Sequence, residues 1–192
     1  MGSRMNNAEG QLFRSRLREL TTLSERLQEL ESEILNTADL WKSTLSNGNK
    51  IMFCGNGGFA AEAQHLAAEL TGHYMIERDP LPGLALTVDT SALTAIGNDY
   101  GFDSIYERQV RAYGNSGDLL VLMSTSGNSP NLTNAVNAAK ALGIVTLAIT
   151  GTSGALQSSC DYRISINSNS PGRIQEMTLF IGHTLCELID LN

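Results

Sequence analysis

The chain has 192 residues, 42% of them hydrophobic, which is enough for one well-buried domain and too little for two full cores. Its 13 basic and 20 acidic residues give a net charge of −7, which argues against a protein that wraps nucleic acid or lies on an anionic membrane. No apolar run approaches the roughly 20 residues that span a bilayer, and the N-terminal stretch is polar rather than signal-like, so the expected location is the cytoplasm.

Residues 12–45 repeat apolar side chains at three- and four-residue spacing without proline or glycine, which predicts one or two amphipathic helices. Long helices ahead of a compact domain suit an oligomer, so residues 1–47 are expected to form a helical arm and residues 48–192 the domain it belongs to. Short apolar runs then follow at 50–54, 83–88, 118–123, 144–149 and 162–166. They alternate with helical patterns at 59–72, 91–98, 104–112, 131–142 and about 172–190. This alternation predicts β-α-β units, hence an α/β fold: a three-layer, doubly wound, five-stranded parallel sheet of order 2-1-3-4-5. Cys54, Cys160 and Cys186 are widely spaced and form no CxxC pair, so they read as buried free thiols.

In that strand order ligands bind beyond the carboxyl ends of strands 1 and 3, where the winding reverses. Two unusual loops fall there: GNGG (55–58) after the first strand and STSGNS (124–129) after the third. The second offers serine and threonine hydroxyls, a glycine-freed backbone and a helix start marked by Pro130, all of which favour an anion. A serine-rich turn that merely caps a helix has the same composition. GNGG is not a complete dinucleotide fingerprint, because alanines (Ala60 and Ala61) follow Phe59 where the last glycine belongs, and Asp89 is the nearest acidic residue to the second strand's end.

His65 and Glu69 are four residues apart and share one helix face, while Gln175 and His183, eight apart, lie within roughly 80° of each other on the last helix. Two helices could thus present four ligands to one divalent metal such as Zn²⁺. A carboxylate and an imidazole beside a phosphate anchor are also what an aldose–ketose isomerisation needs. Spacing alone equally allows a surface histidine and a solvated helix face.

GNGGFAAEAQHLAAELTG, DTSALTAIGNDYGF (89–102), ERQVRAYG (107–114), STSGNSPN (124–131) and RIQEMTLFIGHTLCELID (173–190) together resemble the phosphoheptose isomerases. These SIS-domain (sugar isomerase) enzymes interconvert sedoheptulose 7-phosphate and D-glycero-D-manno-heptose 7-phosphate, feeding ADP-heptose and lipopolysaccharide-core synthesis. The resemblance implies that Asn56, Gly57, Gly58, Asn98 and Asp99 line the substrate site and that Ser124, Thr125, Ser126 and Ser129 hold the phosphate. It implies one zinc ion per subunit on His65, Glu69, Gln175 and His183, with Glu69 and Gln175 also touching substrate. It implies a homotetramer with active sites shared between subunits. Glu69 is then expected to act as the base and His183 as the acid of an enediolate mechanism.

Two positions depart from the family pattern, which usually has Ser at Phe59 and Arg at His73. Phe59 is expected to narrow the pocket, and both changes to weaken anion binding. Two rival readings follow: an isomerase for another sugar phosphate, or a non-catalytic SIS protein of the replication-initiator-associating type. The second lacks the catalytic Glu, whereas Glu69 is present here.

Overall fold

Side chains of a strand point alternately to its two faces, and a parallel sheet buries both. In β1 (Ile51–Gly55), Ile51 and Phe53 enter one core and Met52 and Cys54 the other. β3 (Leu119–Ser124) divides in the same way, with Leu119, Val121 and Met123 opposite Leu120 and Leu122. Both strands are buried throughout, which is why they read as unbroken apolar runs.

The computed structural model, which describes residues 2–191, joins these strands to β2 (Gly83–Ala85), β4 (Val145–Thr150) and β5 (Tyr162–Ser165). All pairings are parallel and the order is β2-β1-β3-β4-β5, as the sequence predicts. One face is covered by α2 (Glu31–Ser46), α3 (Gly58–Thr71) and α8 (Pro171–Asp190), the other by α4 (Thr90–Tyr100), α5 (Ile105–Tyr113), α6 (Pro130–Ala141) and the short α7 (Leu156–Ser159). The predicted arm is α1 (Gly2–Arg26), running through a 3₁₀ turn at Leu27–Leu30 into α2. Its second half packs in the domain core: Trp41 is fully buried and meets Phe53 edge-on at 5.4 Å, and Leu23 and Leu27 join the same cluster.

The second strand stops at Ala85 rather than at 88 because it is an edge strand, paired only with β1. After one more backbone bond, from Leu86 N–H to Phe53 O at 2.9 Å, Thr87 turns away to α3 and donates its hydroxyl to Ala60 O at 3.0 Å. Asp89, the acidic residue near that strand's end, accepts from Ala92 N–H at 2.9 Å and caps α4. The three cysteines are free thiols as expected, with Cys54 and Cys186 buried and Cys160 half-buried. Burial pushes all three well above the ordinary thiol range, which makes them poor nucleophiles. No described helix is long and apolar enough to cross a membrane.

Candidate active site

The turn after β1 is shaped by glycines. Gly57 takes φ +61°, a conformation that side chains disfavour, and starts α3 without a side-chain cap. A Cβ on Gly58 would lie 2.5 Å from Nε2 of Gln175, so the bare backbone here lets the Gln175 side chain of α8 approach the start of α3.

The turn after β3 is the more polar. Ser124, buried at the strand end, accepts from Gly127 N–H at 3.0 Å, and Ser126 Oγ accepts from Asn128 N–H at 3.3 Å. The Ser129 carbonyl accepts from Leu132 and Thr133 at the head of α6, while its hydroxyl makes no capping bond. Thr125 and Ser126 line a cleft of about 250 Å³ that reaches the loop after β4 and the start of α8 at Pro171 and Ile174. Hydroxyls, freed backbone and the N-terminal end of α6 thus share one edge of the sheet, an arrangement suited to phosphate.

The two turns are locked together by a residue the motif reading did not single out. Asn56 Nδ2 donates to Asn131 Oδ1 at 2.9 Å and Asn131 Nδ2 donates back to Asn56 Oδ1 at 2.8 Å, with Asn131 only 1% exposed. The only sequence signal was an asparagine in the first turn of α6; its partner lies 75 residues away. Asn131→Ala strands the half-buried Asn56 amide, so a loss of about 2 kcal/mol is expected in a denaturant titration.

α3 then carries His65 and Glu69 toward α8. His65 Nε2 lies 2.6 Å from His183 Nε2, one ring N–H donating to the other ring's lone pair, and 3.4 Å from Glu69 Oε1. The three ligand atoms all lie within 4.8 Å of one another. The rings of His65 and His183 meet edge-on with centroids 4.9 Å apart, and Tyr74 stacks on His183 at 5.1 Å with the planes 13° apart. The His65 side chain is 43% exposed and that of Glu69 18%, so the cluster opens to solvent. Two imidazole nitrogens and a carboxylate oxygen facing one point fit a borderline cation such as Zn²⁺. His65, Glu69 and His183 thus meet from α3 and α8 of one chain, while Gln175, also on α8, lies against Gly58 at the start of α3.

Other expected site residues sit elsewhere. Asn98 and Asp99 are exposed at the end of α4, where the Asn98 amide donates to the Asp99 carboxylate at 2.8 Å. Among the described residues neither bonds to the two turns or to the His65, Glu69 and His183 side chains.

Phe59 contradicts expectation: it is 3% exposed and belongs to the core, because the second residue of α3 turns onto the sheet, with its Cβ pressed against Gly55. It does not narrow the pocket. His73 is exposed and leans on Glu77 at 3.7 Å. Glu62, one turn before His65, has a buried Oε2 with no partner among the described residues, and burial pushes its carboxyl up to about 7.

The sequence profile of the SIS domain matches residues 17–151. The chain is 50% identical over 170 residues to the phosphoheptose isomerase of Aliarcobacter butzleri, covering 88% of this chain and 90% of that one. It is 52% identical over 170 residues to that of Campylobacter concisus, with coverages of 88% and 89%. Among solved structures, the phosphoheptose isomerase GmhA of Neisseria gonorrhoeae superposes with a TM-score of 0.89 at 40% identity, over 94% of this chain and 98% of that one. A phosphoheptose isomerase from Francisella tularensis gives 0.92 at 37% identity, over 96% and 99%.

Proposed function

The chain belongs to the SIS-domain phosphoheptose isomerases, and from that premise we propose how its own residues convert sedoheptulose 7-phosphate to D-glycero-D-manno-heptose 7-phosphate in heptose biosynthesis. The observation that carries the reading is the convergence of His65, Glu69 and His183, from α3 and α8, on one point.

The phosphate sits on Ser124, Thr125, Ser126 and Ser129, which orients the sugar. Asn56, Gly57 and Gly58 border the carbon chain, with Asn98 and Asp99 supplied at the same site through assembly. Glu69 removes the proton next to the carbonyl to give an enediolate. Its Oε1 is directed at His65, which leaves Oε2 for the substrate proton. His183 delivers a proton to the neighbouring carbon, the hydroxyl proton passes to the neighbouring oxygen, and Glu69 and His183 exchange protons with solvent to restore their starting state. Charge on the enediolate oxygen needs a positive partner. A zinc ion on His65, Glu69, Gln175 and His183, one per chain, supplies it when bound by polarising the carbonyl oxygen.

The assembly is a homotetramer. Supporting it, Leu12, Phe13 and Leu17 on α1 are 58%, 69% and 50% exposed, and Phe180 on α8 is 53% exposed, more large apolar surface than one chain has reason to leave in water. The working compartment is the cytoplasm. The reading of a different sugar phosphate loses its main support, since Phe59 faces the core. A non-catalytic role is disfavoured by Glu69 standing beside two histidines.

The test is direct. Incubation with sedoheptulose 7-phosphate is expected to yield the aldose by NMR, and the purified protein to carry one zinc per chain. His65→Ala is expected to lose that zinc while remaining folded; an undiminished zinc content overturns the ligand assignment.

A further inference from the structure

The Arg78 guanidinium, on the segment that leaves α3, donates from all three of its nitrogens. Its Nε donates to Asp190 Oδ1 at 2.9 Å, Nη2 to Glu69 O at 2.8 Å, and Nη1 to Leu70 O and Gly72 O at 3.0 and 3.2 Å. It thereby covers carbonyls that the end of α3 leaves unpaired and ties that end to the last turn of α8. The other oxygen of Asp190 accepts from Met75 N–H at 3.2 Å, with Asp190 9% exposed. Burial works to raise the Asp190 carboxyl, but the bonds from Arg78 and Met75 outweigh it and hold the group below its ordinary range, so it stays an anionic anchor. The residue next to that anchored N–H is Tyr74, whose ring lies flat on His183.

A ligating or proton-transferring histidine usually has its second nitrogen fixed by a hydrogen bond, which sets the ring plane. His183 directs Nε2 at His65, and among the described residues no group accepts from its Nδ1. An imidazole otherwise turns in a broad well about its outer torsion. The stack on Tyr74 is the contact that fixes the ring plane instead.

We propose that residues 72–78 form an orienting strap for the active site: Tyr74, held by the Arg78–Asp190 clasp, is a positioning residue that sets the plane of the His183 imidazole. The proposal rests on the reading of His183 as acid and zinc ligand. The strap also explains why α3 and α8 are clamped two turns beyond His183 on α8 and at the backbone of Glu69 itself on α3: each cluster-bearing helix is gripped close to the residues it presents.

The test compares Tyr74→Leu, which keeps apolar packing but removes the flat ring, with Tyr74→Phe, which keeps the ring and removes the hydroxyl. Zinc affinity is read by competition with a chromogenic chelator, and kcat and KM with sedoheptulose 7-phosphate at saturating zinc. Tyr74→Leu is expected to weaken zinc binding and lower kcat by about 10-fold each, the scale found when support for a metal ligand is lost. KM and the melting temperature of the metal-free protein are expected to stay near wild type, and Tyr74→Phe to restore both affinity and kcat. A Tyr74→Leu protein with wild-type affinity and kcat overturns the proposal, and so does a Tyr74→Phe protein as impaired as Tyr74→Leu. If the wild-type protein holds no zinc, the metal reading fails, and the kcat ratio of the two variants still decides the strap.

Discussion

Glu69→Gln is expected to fold normally and to lose about 10³-fold in kcat, within the range that a positioned general base contributes. The substitution keeps the shape and one ligating oxygen but removes the lone-pair basicity needed to take a carbon-bound proton. The fold is spared because the structural work at position 69 is done by its backbone carbonyl, which accepts from Arg78 at 2.8 Å, and not by the side chain. The polar turn proposed to hold the phosphate joins β3 to α6, away from position 69 in the chain, so KM is expected to stay within about twofold while kcat falls, the pattern of an interaction made in the transition state. The measurement is steady-state isomerisation at saturating zinc, with circular dichroism as the check on folding. A folded variant that turns over at the wild-type rate removes Glu69 as the base.

Phe59→Ser is expected to destabilise the protein by about 4 kcal/mol, the cost of emptying a core site of an aromatic ring, and to leave KM unchanged. That is a large share of the roughly 5–15 kcal/mol that holds a domain of this kind together. The ring is 3% exposed among the apolar side chains between α3 and the sheet, and a serine hydroxyl there gains no solvent in exchange. Denaturant unfolding reads the loss. A lowered KM with unchanged stability places the ring at the ligand instead.

Phe59 illustrates what motif position leaves open. Its place in the run GNGGF pointed to the pocket, yet the first turn of a helix presents side chains all round. Which of them meets the sheet depends on how the helix is rolled. His73 is similar: a change beside the site in sequence, it leans on Glu77 at the surface, while Arg78, which carried no motif, fills the interior with its donors. Asn131 and Tyr74 were equally silent, because an asparagine in a helix's first turn and an aromatic in a connecting segment have many ordinary uses.

The sequence by itself determined the five strands, their parallel order and the two turns at the switch point. These follow from local rules: unbroken apolar runs for strands buried on both faces, helical periodicity between them, glycine where the backbone must turn sharply, and the fixed hand of β-α-β crossovers. It also put His65 with Glu69 and Gln175 with His183, since residues on one helix share a face by period alone. Only the tertiary structure decided that α3 faces α8, so that His65 meets a histidine 118 residues away, and that Asn56 meets Asn131. Helix period fixes a side chain's angle about its own axis, but the roll and partner of that helix are set by packing. Here that packing includes Leu66 against the bare backbone of Gly182 and the Arg78–Asp190 clasp beyond it.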